Sequence, residues 1–222
     1  MFCVIFEVHP KPDQWDAYLA LAKGLRPELE RVDGFVDNVR YRSLTREGWI
    51  LSLSSWRDEK ALVRWRVHAG HHAVQEKGRT EVFDDYHLRI AEVVRDTAAA
   101  KALPEQRLDV TETGAGGAVV LVDATARHDA PPVRTPESLV AWLGLVNPAD
   151  GPIGFDVFEA VLTPGDFILL STWRDDAAAQ SFERTAKPAP GARLRRARVI
   201  RDYGMFDRRE APQYYPAVAR RT

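Results

Sequence analysis

The chain has 222 residues, of which 45% are hydrophobic and 28% charged, and its formal net charge is −1. This balance is typical of a globular protein with one large or two small domains, and it excludes a strongly basic nucleic-acid-binding protein. The single cysteine, Cys3, excludes an internal disulfide and is expected to be a buried strand residue. Because the sequence shows no secretory leader and no apolar run of membrane-spanning length, we expect a cytoplasmic location and no membrane partner.

The first half of the chain alternates strands with helices. The first helix is predicted from apolar residues at i, i+3 and i+4 spacing, and Pro27 is expected to kink or end it. The second helix is capped by Asp58 and is expected to continue through His68 to Gln75 and to stop at Gly78. The predicted strands are 2–8, 35–43, 49–56 and 86–94. This β-α-β-β-α-β order is the ferredoxin-like arrangement.

The second half shows the same order of predicted elements. Strands are predicted at 119–122, 155–161 and 167–173, a helix opens at Thr135–Ser138, and another begins at about Asp176. We interpret the basic cluster of Arg193, Arg195, Arg196 and Arg198 as one exposed strand face. We divide the chain into a first module (1–97), a linker (98–117), a second module (118–205) and a C-terminal tail (206–222). The tail is expected to pack across a neighbour.

Two pairs of matching segments indicate an internal duplication. Residues 49–58, which end in Trp56-Arg57-Asp58, resemble residues 167–175, which end in Trp173-Arg174-Asp175. Later, Val94-Arg95-Asp96 has a counterpart in Ile200-Arg201-Asp202. Each segment stands at the same point of its half, so we predict that the second module repeats the first.

The segment after Trp56-Arg57-Asp58 carries a family resemblance. Trp65-Arg66 is followed by His68, His71 and His72, then by Gln75, Gly78-Arg79 and Asp85-Tyr86. This pattern is similar to the antibiotic biosynthesis monooxygenase (ABM) superfamily, in the branch related to haem-degrading monooxygenases. The resemblance covers residues 2–96 well and residues 118–204 only in general terms.

The resemblance implies an α+β fold. Each ABM module is a four-stranded antiparallel sheet with two helices on one face, and two modules pack their sheets into a dimeric α+β barrel. With two ferredoxin-like modules, this chain is expected to form that barrel as an intrachain pseudo-dimer, with a further homodimer left open. The family's pocket lies between the sheet and the helices of one module. Members include cofactor-free oxygenases of aromatic polyketides, haem-degrading enzymes and proteins without a known reaction.

His68, His71 and Gln75 are the candidate catalytic residues. On a continuous helix, His68 shares a face with His71 and His72, and an imidazole in an apolar pocket can deprotonate a phenol or enol so that the carbanion reacts with O2. Two alternatives stay open, which are ligation of a haem iron by His68 or His71 and a helix face with incidental histidines. A metal site is not expected, since only a weak set of His68, His72 and Glu76 approaches the three ligands it needs.

Haem cleavage as in the well-studied relatives is not supported. Those relatives use a strand-one Asn, a helix Trp and a His about three turns later. Trp65 matches the Trp, but Phe6-Glu7 holds no Asn, and Gln75 stands where the His is expected.

The candidate substrate-binding residues are Trp56, Trp65, His72, Arg79, Phe83 and Tyr86. The aromatic residues suit the walls of a flat pocket, and the alternative is ordinary core packing. Arg79 suits either a substrate carboxylate or the carbonyl groups at the end of its own helix. No glycine-rich phosphate loop is present, so neither a flavin nor a nicotinamide cofactor is expected.

The second half keeps the Trp-Arg-Asp segment but lacks the candidate histidines. Thr185 and Pro188 stand at the places of His68 and His71, so we predict one functional pocket per chain, in the first half. The leading hypothesis is an ABM-type oxygenase that acts on a small aromatic or apolar molecule and needs no cofactor. The alternatives are a haem-binding or haem-degrading monooxygenase and a non-catalytic module that binds a small molecule.

Overall fold

The computed structural model describes residues 1–126, 130–147 and 151–220. Its strands are β1 (Phe2–Pro10), β2 (Phe35–Ser43), β3 (Ile50–Trp56), β4 (Phe83–Asp96), β5 (Ala118–Thr125), β6 (Gly154–Ala160), β7 (Asp166–Trp173) and β8 (Arg193–Gly204). Its helices are α1 (Trp15–Leu29), α2 (Glu59–Arg66), α3 (Ala69–Lys77), α4 (Pro136–Trp142) and α5 (Asp176–Thr185), and a π-helical turn, Gly78–Val82, follows α3. No helix among the described residues is long and apolar enough to cross a membrane.

The eight strands close into one antiparallel barrel in the order β1-β3-β2-β6-β7-β5-β8-β4. The two halves of the chain meet at two seams. A short seam joins β2 to β6 from Tyr41 to Ser43, and a long seam joins β4 to β8 from His87 to Asp96. This confirms the α+β class and the pseudo-dimeric barrel. The module boundaries and the origin of the halves by duplication stay predictions.

Alternation along the strands separates the barrel interior from the face that the helices cover. On β1, Cys3 and Ile5 point into an apolar interior that both halves fill, whereas Phe2 and Val4 face the helices. Cys3 is buried, as predicted, and burial raises the pKa of its thiol to about 11. The thiol is therefore protonated at neutral pH and behaves as a small apolar side chain.

The two Trp-Arg-Asp segments make the same local contacts. The indole Nε1 atoms of Trp56 and Trp173 each donate to the serine two residues earlier, at 3.0 Å. Asp58 and Asp175 each cap the following helix, with Oδ1 accepting from the backbone N–H three residues later at 2.8 Å. Each cap satisfies a backbone donor that would otherwise lack a partner. The shared sequence thus starts the helix after β3 and the helix after β7 in the same way.

The predicted continuous helix after Asp58 is wrong at Val67 and His68. Helix α2 ends at Arg66, and His68 is the N-cap of α3 with φ −64° and ψ 129°. In a continuous helix the Trp65 carbonyl would accept from the N–H of residue 69. Here it accepts from the His68 N–H at 3.1 Å and lies 3.0 Å from Nδ1 of His71. At the break, these two groups take the place of the Ala69 N–H beside that carbonyl.

The basic residues of β8 do not form one exposed face. Arg195 and Arg196 are buried, and because consecutive strand residues point to opposite faces, the two side chains leave the sheet on different sides. Arg195 binds Asp123 at 2.5 Å, and Arg196 binds Glu183 of α5 at 2.9 Å. The prediction of one exposed face was wrong because the carboxylates that neutralise these arginines are distant along the chain.

Candidate functional site

A cavity of about 200 Å³ lies in the first half, between the barrel sheet and helices α1 to α3. Its walls are mostly apolar. The strands contribute Val4, Phe6, Trp56, Leu88 and Ile90, and the helices contribute Leu21, Leu25, Leu29, Leu62, Trp65 and Val74. These strand residues have the alternation that turns them away from the barrel interior. The cavity therefore occupies the place that the family resemblance implies.

The C-terminal tail closes one side of this cavity. Arg208, Gln213 and Tyr215 line it, together with Tyr203 of β8. Gln213 Nε2 donates to the Arg66 carbonyl at 3.0 Å, and the Tyr215 hydroxyl donates to Gln75 Oε1 at 3.0 Å. These hydrogen bonds hold the tail to α2 and α3 of its own chain, and packing of the tail across a neighbour stays a prediction.

His71 is held against the cavity by its ring and by one ring nitrogen. The imidazole stacks on Trp65 with 4.4 Å between ring centroids, and its Nδ1 lies 3.0 Å from the Trp65 carbonyl. A carbonyl only accepts hydrogen bonds, so Nδ1 carries the proton and Nε2 keeps a free electron pair. Burial lowers the pKa of His71 to about 4, so the ring is neutral at pH 7. His71 is thus a neutral hydrogen-bond and proton acceptor in an apolar wall.

The other two candidate histidines do not line the cavity. His68 caps α3, with its Nδ1 3.4 Å from a carboxylate oxygen of Glu28, and its side chain is 42% exposed. His72 stacks on Tyr215 from outside, with 5.2 Å between ring centroids. The break before α3 removes the shared face on which the sequence argument for His68 rested. Among the described ranges, no group of three His, Cys, Asp or Glu residues is placed to hold a metal ion.

Arg79 is placed by the π-helical turn and is only 4% exposed. A Cβ atom on the preceding Gly78 would lie 2.5 Å from the Phe83 ring, so glycine is required for this close approach. The Arg79 guanidinium donates to the Tyr86 hydroxyl at 2.5 Å and to the Met205 and Pro216 carbonyls at 3.3 Å. These partners lie on β4 and the C-terminal segment, so Arg79 does not cap its own helix.

The structure brings seven of the candidate residues together. Trp56, Trp65, His71, Gln75, Arg79, Phe83 and Tyr86 all line the cavity. The aromatic rings form part of its wall, and Gln75 accepts from Tyr215. Burial raises the pKa of Tyr215, so its hydroxyl stays protonated and able to donate. The catalytic or binding role of each residue stays a prediction.

Sequence reasoning missed several polar residues of the wall. Asn38 and Arg40 reach the cavity from β2, Ser52 and Ser54 from β3, and Arg66 from α2. On β2 the polar residues Asn38 and Arg40 alternate with Val39 and Tyr41, which pack in the barrel interior. This alternation could have indicated the polar wall. Polar side chains on the helix-covered face of a sheet need hydrogen-bond partners, which a ligand can supply. The tail residues carried no comparable local signal.

The charged side chains that the structure describes in the cavity wall are arginines. Among the described residues, Arg40, Arg66, Arg79 and Arg208 line the cavity and no Asp or Glu does. The Nε atoms of Arg40 and Arg66 are buried and have no hydrogen-bond partner in the described part of the chain. The wall therefore carries positive charge that its own side chains do not neutralise.

Comparison with known proteins gives the family and the fold. The family described as antibiotic biosynthesis monooxygenase matches residues 1–77. A protein of Pyricularia oryzae (strain 70-15) named jasmonate monooxygenase ABM is 48% identical over 234 residues, which cover 99% of this chain and 100% of that protein. The crystal structure of aldoxime dehydratase (OxdRE) in complex with butyraldoxime is 13% identical and has a TM-score of 0.54 over 90% of this chain and 79% of that chain.

At 13% identity, the similarity to aldoxime dehydratase shows only that the two proteins share a barrel fold. The Pyricularia protein is similar along its whole length, and the matched family region includes β1, the histidine segment and most of the helices that enclose the cavity. On these grounds, the chain belongs to the antibiotic biosynthesis monooxygenase family.

Proposed function

We propose that this chain is a monooxygenase that oxidises a small, largely apolar molecule in the first-half cavity, with His71 as the proton acceptor. The observation that carries the proposal is the half-buried, neutral imidazole of His71, with Nδ1 engaged by the Trp65 carbonyl and Nε2 without a hydrogen-bond partner among the described residues. Perturbed titratable groups in an apolar cavity are typical of catalytic sites. Gln75 and Tyr86, which line the same cavity, are proposed to orient the substrate.

Jasmonate is the first substrate to test, because the relative that is 48% identical carries it in its name. Jasmonate is a cyclopentanone that bears an apolar chain and a carboxylate. Drug-sized ligands usually occupy cavities of roughly 300–1,000 Å³. The cavity of about 200 Å³ is smaller than this range, so it suits a molecule smaller than a typical drug, such as jasmonate.

The proposed chemistry begins with a proton transfer to Nε2 of His71. A pKa of about 4 makes His71 a weak base on its own. The transfer from a phenol, or from a carbon beside a carbonyl, therefore depends on pairing between the imidazolium and the phenolate or enolate that form together. The electron pair that stays on the substrate then reduces O2. For a methylene group, one molecule of O2 gives a carbonyl group and one molecule of water, so the substrate supplies all the electrons. We therefore propose that no flavin or nicotinamide takes part.

Haem is the alternative cofactor, and the described residues do not fit it. His71 offers one nitrogen to an iron, but a tetrapyrrole is larger than the ligands for which cavities of roughly 300–1,000 Å³ are usual, and this cavity holds about 200 Å³. A titration with haem followed by visible absorption tests this point. We expect no Soret shift at stoichiometric haem, and a shift that is lost in His71→Ala would restore the haem hypothesis.

Oxygen uptake with purified protein, jasmonate and a panel of phenols and quinols, without added cofactor, tests the proposal. We expect His71→Gln to lower kcat by about 10²-fold or more with little change in KM, since a positioned base contributes about 10²–10⁴-fold. His68→Gln and His72→Gln should keep most of the rate because neither side chain lines the cavity. A full rate in His71→Gln, or no uptake with any compound, would contradict the proposal.

A further inference from the structure

The four arginines of the cavity wall, of which Arg79 is buried and the others are half-buried, differ from the remaining buried arginines among the described residues. Arg89 is paired with Glu7, Arg195 with Asp123 and Arg196 with Glu183. In the cavity, by contrast, Arg40, Arg66, Arg79 and Arg208 have no carboxylate among the described wall residues. A buried positive charge without a partner is costly. Because the other buried arginines are each paired with a carboxylate, we expect the negative charge for the cavity arginines to come from a ligand.

Two of these arginines converge on one atom. Arg79 and Arg208 donate to the same Tyr86 hydroxyl oxygen, at 2.5 and 2.6 Å. Their remaining hydrogen bonds go to neutral backbone carbonyls, those of Met205 and Pro216 from Arg79 and that of Gln213 from Arg208. Two guanidinium groups that meet at a neutral oxygen repel each other. An anion between them removes that repulsion.

The same two guanidinium groups flank one aromatic ring. The Cζ atoms of Arg79 and Arg208 each lie 5.5 Å from the ring centroid of Tyr215. The attraction between a cation and an aromatic face is worth about 0.5–2 kcal/mol and keeps the guanidinium planes in place. Planar guanidinium groups held in this way match the geometry of a carboxylate, which they can bind through paired N–H donors.

Arg208 and Tyr215 belong to the tail, whereas Arg79 belongs to the first module. A ligand carboxylate between the two arginines therefore connects the tail to the module that carries His71. The tail is fastened by two neutral hydrogen bonds, Gln213 to the Arg66 carbonyl and Tyr215 to Gln75. Arg79 and Arg208 add hydrogen bonds to neutral oxygens, those of the Pro216 carbonyl and the Tyr86 hydroxyl. Hydrogen bonds between two charged groups are stronger than either kind, so a bound carboxylate would strengthen this closure.

We propose that the cavity selects apolar carboxylates, that Arg79 and Arg208 bind the carboxylate, and that this contact fastens the tail over the ligand. The inference rests on the proposed function in that it names the substrate class of the same cavity. Arg79 and Arg208 are specificity-determining residues, and His71 remains the proton acceptor.

Fluorescence titration with jasmonate and methyl jasmonate tests the selection, since Trp56 and Trp65 line the cavity. In the wild type we expect the acid to bind about tenfold more tightly than the ester or better. Arg208→Gln should weaken binding of the acid by about 10–100-fold, as a hydrogen bond to a charged group contributes about 1.5–3 kcal/mol. It should leave binding of the ester nearly unchanged. Arg208→Lys should fall between wild type and Arg208→Gln.

Arg209→Gln is the matched control, because Arg209 is the next tail residue, pairs with the exposed Asp207 and does not line the cavity. It should bind acid and ester as the wild type does. Hydrogen exchange of the tail gives a second readout. Jasmonate should slow exchange of residues 206–218 in the wild type and in Arg209→Gln, but not in Arg208→Gln.

Equal binding of acid and ester by the wild type would overturn the inference, as would equal losses in Arg208→Gln and Arg209→Gln. The outcome can be separated from that of the proposed function. Acid-selective binding without oxygen uptake would contradict the proposed monooxygenase but agree with the carboxylate site. Oxidation of the ester as readily as the acid would contradict the carboxylate site but agree with the monooxygenase.

Discussion

The half-buried position of His71 against Trp65 affects stability as well as its proposed catalytic role. Its pKa is about 4 in the folded chain, whereas a histidine in an unfolded chain titrates near 6.5. The unfolded state therefore takes up a proton between pH 6.5 and 4 that the folded state does not bind. Stability from this group is fully present above pH 6.5 and is lost as the pH falls towards 4.

We expect this linkage to lower the free energy of unfolding by about 2 kcal/mol between pH 7 and pH 5. Urea unfolding of the wild type and of His71→Gln at both pH values measures it. The difference between the two proteins should shrink by this amount at pH 5, because the glutamine does not titrate. A difference that is the same at both pH values would show that His71 is accessible to protons in the folded chain.

At the residue scale, the sequence motif predicted the right segment but not the right atoms. His68, His71 and His72 are equivalent candidates in the sequence, since each is an imidazole on a predicted helix. The structure separates them, because only His71 both stacks on Trp65 and reaches the cavity. That choice depends on a side-chain contact with a backbone carbonyl, which no periodicity in the sequence encodes.

Among the elements, the π-helical turn after α3 has the most direct influence on the site, since it places Arg79 and ends beside Phe83. We expect Gly78→Ala to lower the free energy of unfolding by about 1–2 kcal/mol. Forcing a methyl group into a packed core usually costs about 1–3 kcal/mol, and the better helix propensity of alanine offsets part of it. Urea unfolding measures this change, and binding of jasmonate should weaken as well because Phe83 and Arg79 move.

Gly24→Ala is the matched control, because Gly24 lies in α1 with nothing within 4 Å of an added Cβ. It should stabilise the chain by about 0.5–1 kcal/mol through helix propensity alone. If Gly78→Ala were also stabilising, the close contact between Gly78 and the Phe83 ring would not exist in solution.

The elements were largely predictable where local rules decide them. The strands follow from alternation and β-rich runs, and the caps Asp58, Thr135 and Asp175 mark helix starts that the structure places within a residue of them. The break between α2 and α3 was not predictable, because neither Val67 nor His68 is a proline or glycine that would mark it. The course of the tail was not predictable either, since Gln213 and Tyr215 find their partners more than a hundred residues earlier in the chain.

At the scale of the whole molecule, one half supplies the cavity and the other half completes the barrel. Both halves fill the barrel interior, where Ile5 and Leu53 pack with Leu121 and Ile168. In the second half, Phe182 stacks on Trp173 at 4.9 Å and belongs to a packed core between sheet and helices. In the first half the aligned residue, Trp65, stacks on His71 instead. The same scaffold thus has packed side chains on one side and a histidine-lined cavity on the other.

A crystal structure of the chain with bound jasmonate tests the central claim most directly. We expect one ligand per chain, in the first-half cavity, with its carboxylate between Arg79 and Arg208. The carbon to be oxidised should lie close enough to Nε2 of His71 for proton transfer, directly or through one water. A ligand in the barrel interior or the second half, or one whose ring is remote from His71, would contradict the claim.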